Sequence, residues 1–455
     1  MFNKKISQWA LMSLLAGTLV GCGSDSDEAS SDDVAYIQYY NASPNSTSTV
    51  LALDDYGYSA VDFADSMPRY SYSTGTAELD IYGQDENGDT VVILNNSVSL
   101  DNDSRHLFIL YDDYHQPSLL DVIFSRTEMD SLNDDEDNSY SKMLLTVANV
   151  ASVQQEFDAY ISLDTQTIDE ATMLGNVAYG SYTEQQILDT DEYIVYLTNA
   201  GTTEVVYTTG TVSLEVETAY KLVIRDSFGA GELKVTIDVV DSTTTPVNYA
   251  ALEAAADVRV FNGLETTNIN LDISSHQEAQ YLYDIAPYGV TEYHSLSFND
   301  YAVTIKDSSS LAILFDNLLA SFNQDEVKTI LVYQDEDTQV KGMVIEEDLR
   351  PRAFEYQFSL VNLSSDFDGL AVYFVRDSET IDSVEYKLSD LDFEEQLQLT
   401  LPQDDYEINI VYTADNGTQT LIYQSDVISL QGESNFSYIL TPDSSSQFGH
   451  RLTAL

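Results

Sequence analysis

The sequence has a single cysteine, Cys22, so no intrachain disulfide can form and any folded core must be held by packing alone. Acylation of that one cysteine, expected from the residues that precede it, would exclude thiol catalysis as well. Basic residues are scarce: 18 Lys and Arg stand against 77 Asp and Glu, a formal charge of −59. Such a surface repels nucleic acid and anionic headgroups, which excludes a nucleic-acid partner. Proline is rare, with 8 residues, and the only tryptophan, Trp9, lies near the amino terminus. No apolar run reaches the roughly 20 residues that a membrane-spanning helix needs.

Apolar residues are plentiful. They make up 43% of the chain, enough for packed cores, and the 32 tyrosines suit half-buried strands. A length of 455 residues suggests three or four domains rather than one.

Residues 1–21 read as a leader. Lys4 and Lys5 form its positive end, and a mostly apolar stretch over residues 9–20 follows, too short to span a bilayer. The leader ends in Leu19-Val20-Gly21-Cys22, which resembles the bacterial lipobox. That resemblance implies cleavage before Cys22, a diacylglyceryl group on its thiol and acylation of the new amino terminus. Two or three acyl chains anchor stably where one is marginal. Gly23 stands where Asp favours retention in the inner membrane, so the expected location is the outer membrane, on its periplasmic face or at the cell surface. Loss of the two leader lysines takes the charge from −59 to −61. The acidic run over residues 22–33 is expected to be a flexible tether.

The rest of the chain repeats. A strand-like alternation ends at an asparagine four times, in Ile37-Gln38-Tyr39-Tyr40-Asn41, Leu145-Thr146-Val147-Ala148-Asn149, Val258-Arg259-Val260-Phe261-Asn262 and Phe358-Ser359-Leu360-Val361-Asn362. Each is followed by a second short strand, a hairpin and a closing strand. In three copies an acid and a tyrosine open the hairpin: Glu192-Tyr193, Asp300-Tyr301 and Asp405-Tyr406. Asn87-Gly88 and Asn416-Gly417 suit type I′ turns. About seven short strands per unit give an all-β fold of four tandem immunoglobulin-like antiparallel β-sandwiches, over residues 34–127, 142–242, 256–347 and 354–455. A propeller would repeat at about 40–50 residues, too short a period. Residues 249–256 are the best candidate for a helix.

The motif Tyr39-Tyr40-Asn41-Ala42-Ser43-Pro44, with Ala178-Tyr179-Gly180 and Pro287-Tyr288-Gly289 later, resembles domain-of-unknown-function family four-three-nine-seven, whose members are often exported and often in tandem. The resemblance implies a sandwich and a surface location. It carries no activity and no site residue.

No catalytic motif emerges. The histidines His106, His115, His276, His294 and His450 form no HExxH pair, and there is no G-x-S-x-G elbow or P-loop. Ser and Asp are so common that many Ser-His-Asp trios can be drawn on paper. Asp85-Glu86-Asn87-Gly88-Asp89 opens like an EF-hand loop, but Asn96 stands at position twelve where that loop needs Glu, so a hairpin turn is expected. Looser, weak calcium sites are candidates at Asp101 and Asp103 and at Asp134, Asp135 and Asp137. Tyr36, Tyr39, Tyr40, Tyr56 and Tyr58 could form a sugar platform or pack in core and edge positions. Packing is the expectation, because carbohydrate modules more often use tryptophan. The functional expectation is a non-enzymatic envelope lipoprotein whose sandwiches act as a surface binding or spacer array. Its partners would be the membrane, through the lipid, and an extracellular or envelope ligand. A hydrolase with an unrecognised site is the alternative.

Overall fold

The computed structural model describes residues 33–125, 141–243, 245–432 and 434–455. Among them the only helix is a 3₁₀ turn, Ile168–Glu170. The chain is all-β and builds four tandem sandwiches with separate cores, centred on Phe108, Leu222, Val303 and Phe358.

The first sandwich has eight strands: β1 (Val34–Asn41), β2 (Thr49–Leu53), β3 (Tyr56–Val61), β4 (Tyr70–Ser73), β5 (Gly75–Gln84), β6 (Thr90–Leu100), β7 (Ser104–Tyr111) and β8 (Ser118–Ser125). One sheet runs β4-β1-β7-β8 and the other β3-β2-β5-β6. Pairing is antiparallel except between β1 and β7, which run parallel from Tyr36 against Arg105 to Asn41 against Leu110. The same parallel pair recurs in the other three sandwiches. Long intervening chain makes that possible, since parallel strands need a crossover rather than a hairpin.

The repeated asparagine is a pin. Asn41, Asn149, Asn262 and Asn362 are fully buried. In each, Oδ1 accepts from the backbone N–H two residues on: Ser43, Ala151, Leu264 and Ser364. Nδ2 donates to carbonyls that fix the next loop, such as Thr267 and Ile285, both at 2.9 Å from Asn262. The acid-tyrosine pairs are corners. The hydroxyls of Tyr193, Tyr301 and Tyr406 donate to the carbonyls of Asp189, Ser297 and Pro402, four residues upstream.

The expected helix over residues 249–256 does not form. Val247–Tyr249 instead adds as an edge strand to Val235–Val240, and Ala251 packs on the second core, so this sandwich extends past residue 242. Alanine content alone does not outweigh an open sheet edge beside the chain.

The sandwiches are not independent beads. Lys142–Asn149, Ala219–Asp226 and Val235–Val240 are buried along almost their whole length. Tyr220, Leu222 and Ile224 fill the second core, while Val223, on the other face, meets Tyr40, Leu107, Ile109 and Val122 of the first sandwich. Strands buried on both faces read as continuous apolar runs rather than alternations. A matching seam joins the third and fourth sandwiches through Phe261, Leu331, Tyr333, Val361 and Ile439. Each fully buried side chain of this kind contributes about 1.5–3 kcal/mol.

Candidate functional site

Two further joints close the four sandwiches into a ring. Between the second and third, Asp325 accepts from Gly231 N–H at 2.6 Å through its carboxylate, and from Ala230 N–H at 3.2 Å through its carbonyl. Ser227 also donates to the Asp325 carboxylate. Gly229 must be glycine, because a Cβ there would land on the Asp325 carbonyl. Between the fourth and first, Ala353 N–H donates to the Asn45 carbonyl at 2.9 Å, and the Phe354 ring meets His115 edge-on at 5.0 Å.

All four sandwiches therefore border one cleft of about 1030 Å³. Phe63 stands at its root. Its ring carries the Arg225 guanidinium at 5.0 Å and the Arg350 guanidinium at 4.8 Å. Arg225 is ion-paired with Asp238 at 2.7 Å, and the Tyr40 hydroxyl of the first sandwich donates to the same carboxylate at 2.5 Å. Arg350 is 8% exposed, and its Nη1 donates to the carbonyls of Pro44 at 3.3 Å and Ser46 at 3.1 Å. Burial, with Arg352 adding repulsion, pushes the Arg350 guanidinium down to about 9. Burial also raises the Glu355 carboxyl on the cleft wall. Gln357, Gln396, Gln398 and Thr400 line the side formed by the fourth sandwich. The arrangement can donate and accept many hydrogen bonds at once.

One Ser-His-Asp trio does assemble. His106 Nδ1 lies 2.9 Å from Asp121, and its Nε2 lies 2.8 Å from Ser104 Oγ. Ser104 Oγ also lies 2.6 Å from the Asp101 carbonyl, which can only accept, so the hydroxyl proton is committed there rather than to the imidazole. The N–H groups of Asp103 and Ser104 are spent on the Val34 and Asp101 carbonyls. An oxyanion needs free donors beside the nucleophile. The trio clamps the turn between β6 and β7. Ser-x-His spacing on a strand, which puts both side chains on one face, was the signal for it.

The other expected residues divide as follows. Leu19, Val20, Gly21, Cys22, Asp134, Asp135 and Asp137 lie outside the described residues. Asp101 and Asp103 flank the β6–β7 turn, and among the described residues no three acidic or histidine side chains converge as for a metal ion. Asp85 caps its own hairpin, accepting from the N–H of Asn87 at 2.8 Å and of Asp89 at 3.0 Å. A hairpin turn forms as expected, but here and at Asn416-Gly417 it is not type I′, because only the glycine has positive φ. Tyr39 and Tyr40 are fully buried, Tyr36 and Tyr58 half-buried, and Tyr56 is exposed, so the five do not make one platform. Sequence reasoning missed Phe63, Phe228, Arg350 and the glutamines of the cleft.

No family model and no curated protein matches the chain. Among solved structures, it is similar to a leucine-rich repeat protein of Bacteroides thetaiotaomicron at 11% identity and a TM-score of 0.15, covering 42% of this chain and 26% of that one, about a quarter of its length. The major pilin subunit BcpA of Bacillus cereus is similar at 11% identity and a TM-score of 0.14, covering 67% of this chain and 99% of that one. A candidate cell adhesion protein of Bacteroides fragilis is similar at 11% identity and a TM-score of 0.15, covering 70% and 97%. Likenesses of this size bear on neither function nor domain arrangement.

Proposed function

We propose that this chain is a non-enzymatic lipoprotein of the outer membrane, anchored through Cys22, whose four sandwiches act as one binding block. The observation that carries the reading is the ring: four sandwiches converge on a single polar cleft of about 1030 Å³. Polar groups from several elements converging on one concavity are where a ligand is expected. A spacer gains reach by standing end to end, and a closed ring forfeits that reach, so binding is favoured over spacing. The hydrolase alternative has its nearest approach in Ser104, His106 and Asp121, where the serine proton is spent on a backbone carbonyl.

The anchor rests on Leu19-Val20-Gly21-Cys22. Changing Cys22→Ser should abolish labelling by palmitate, and the protein should leave the membrane fraction or stall unprocessed. Equal labelling of variant and parent would sink the lipoprotein reading. Protease treatment of intact cells then separates the two faces of the outer membrane: loss of the protein places it at the cell surface, and survival places it on the periplasmic face.

A further inference from the structure

The part of the fourth sandwich that borders the cleft differs in chemistry from the rest of the surface. In a chain with 77 acidic residues, Gln357, Gln396, Gln398 and Thr400 line the cleft without charge, over a buried Ser359. Their strands, Glu355–Asn362 and Gln396–Pro402, pair with Gln357 opposite Thr400 and Ser359 opposite Gln398. The intervening Phe358, Leu360, Leu399 and Leu401 turn into the core, which leaves Gln357, Gln396, Gln398 and Thr400 on the outward face. Gln357 Nε2 donates to Gln398 Oε1 at 2.9 Å, and Gln396 Nε2 donates to Ser359 Oγ at 2.7 Å. These bonds fix the amide planes and leave Gln357 Oε1, Gln396 Oε1 and Gln398 Nε2 for a ligand.

The same cleft is lined by Phe228, half-buried, and by Arg350, which no described carboxylate pairs with and which is held by two backbone carbonyls. Nη1 of Arg350 holds the joint, and the rest of the guanidinium lines the cleft as a further donor for something that enters it.

We propose that the junction cleft is a binding site for a neutral oligosaccharide. Each sugar hydroxyl both donates and accepts, and an amide presents one group of each kind in a plane. Asp348 and Glu355 at the cleft can accept hydrogen bonds from sugar hydroxyls, and the Phe228 ring offers an apolar face to the C–H side of a pyranose. Polyanionic sugars are disfavoured by the carboxylates Asp62, Asp325 and Glu326, which share the lining. The volume, about 1030 Å³, is at the upper end of ligand pockets, at about 300–1,000 Å³, and suits several sugar rings. The proposal rests on the reading of the chain as a binding block.

The test uses residues 22–455 expressed without the leader and with Cys22→Ser, with saturation-transfer NMR on maltohexaose, cellohexaose, xylohexaose and mannohexaose, and on an oligogalacturonate as the anionic counterpart. The expected result is transfer to at least one neutral hexasaccharide. Binding of that sugar should weaken at least 10-fold in the double variant Gln396→Ala, Gln398→Ala, and also in Phe228→Ala, which alters a different sandwich. The double variant frees the buried Ser359 hydroxyl, so it should melt somewhat below the parent, and binding is compared well below that melt. Transfer to none of the four, transfer unchanged in both variants, or transfer to the oligogalacturonate alone overturns the proposal. New reducing-end signals appearing with time would instead refute the non-enzymatic reading while leaving the site in place.

Discussion

Arg350 donates to the carbonyl of Ser46 at 3.1 Å, a bond between groups 304 residues apart in sequence. It ties the joint before the fourth sandwich to the loop after the first strand of the chain. In a protein with 18 basic residues, several of the cations sit on such seams. Arg225 and Arg350 share the Phe63 ring, Lys221 lies over Phe124 at 4.3 Å, and Arg451 lies over Tyr288 at 4.3 Å.

Removing the Arg350 side chain should therefore open the joint between the first and fourth sandwiches. Arg350→Ala leaves the Pro44 and Ser46 carbonyls without their donor, at a cost of about 1–3 kcal/mol. Chemical denaturation should show that loss, and limited proteolysis should cut faster over residues 349–355. Unchanged cleavage there would mean that the bond holds nothing.

Lys221 gives the protein a pH dependence. Burial in the first seam, with repulsion from Arg69 and Arg105, pushes its ammonium down to about 7 from 10.5, against a smaller opposing effect of Asp241. From pH 7 to about 10 the unfolded chain holds a proton that the native chain has released. Stability should rise with pH across that window, by up to about 1.4 kcal/mol per pH unit. Below pH 7 both forms are protonated and the full cost of the buried charge remains. Lys221→Met should thus be more stable than the parent at pH 6, by about 1–4 kcal/mol, and the gap should shrink toward pH 9. Urea melts at pH 6, 7.5 and 9 measure it; a gap that does not change with pH contradicts the argument.

Residues 256–347 contain a complete core, yet alone they would expose Phe261, Leu331, Tyr333 and Ile345. The fragment should self-associate, whereas residues 256–455, which keep the seam covered, should run as a monomer. Light scattering after size exclusion distinguishes them, and a well-behaved monomer of the shorter fragment would show that the seam is dispensable.

Much of this fold was legible. The asparagine at the end of each first strand and the acid-tyrosine pairs marked the repeat because each does the same backbone work in every copy where it stands. The seams were written less plainly, in strands such as Ala219–Asp226 whose two faces are both buried. The cleft was not legible at all. Phe63, Phe228, Arg350 and Gln398 come from four distant stretches, and only the closing of the ring makes them neighbours. The helix expected over residues 249–256 failed because the edge of Val235–Val240 was open to Val247–Tyr249.

Salt should stabilise the protein. About sixty uncompensated charges, −59 over the full sequence, repel more strongly in the compact state. The Debye length falls from about 30 Å at 0.01 M to about 3 Å at 1 M. The melting temperature should climb across that range of sodium chloride, and a flat series would count against the screening argument. Calcium sites at Asp101, Asp103, Asp134, Asp135 or Asp137, proposed as weak, predict a further rise in calcium chloride at matched ionic strength. Identical melts remove calcium from the account.

The closed ring is tested most directly by small-angle X-ray scattering of the soluble mature chain at moderate salt. A compact chain of this length has a radius of gyration of about 22 Å, and a ring around an open cleft should lie within a few ångströms of that. Four sandwiches strung end to end would give about twice the value. A radius near 25 Å with a single-peaked distance distribution is the predicted result; one near 45 Å with an extended tail would contradict the ring and the cleft built on it.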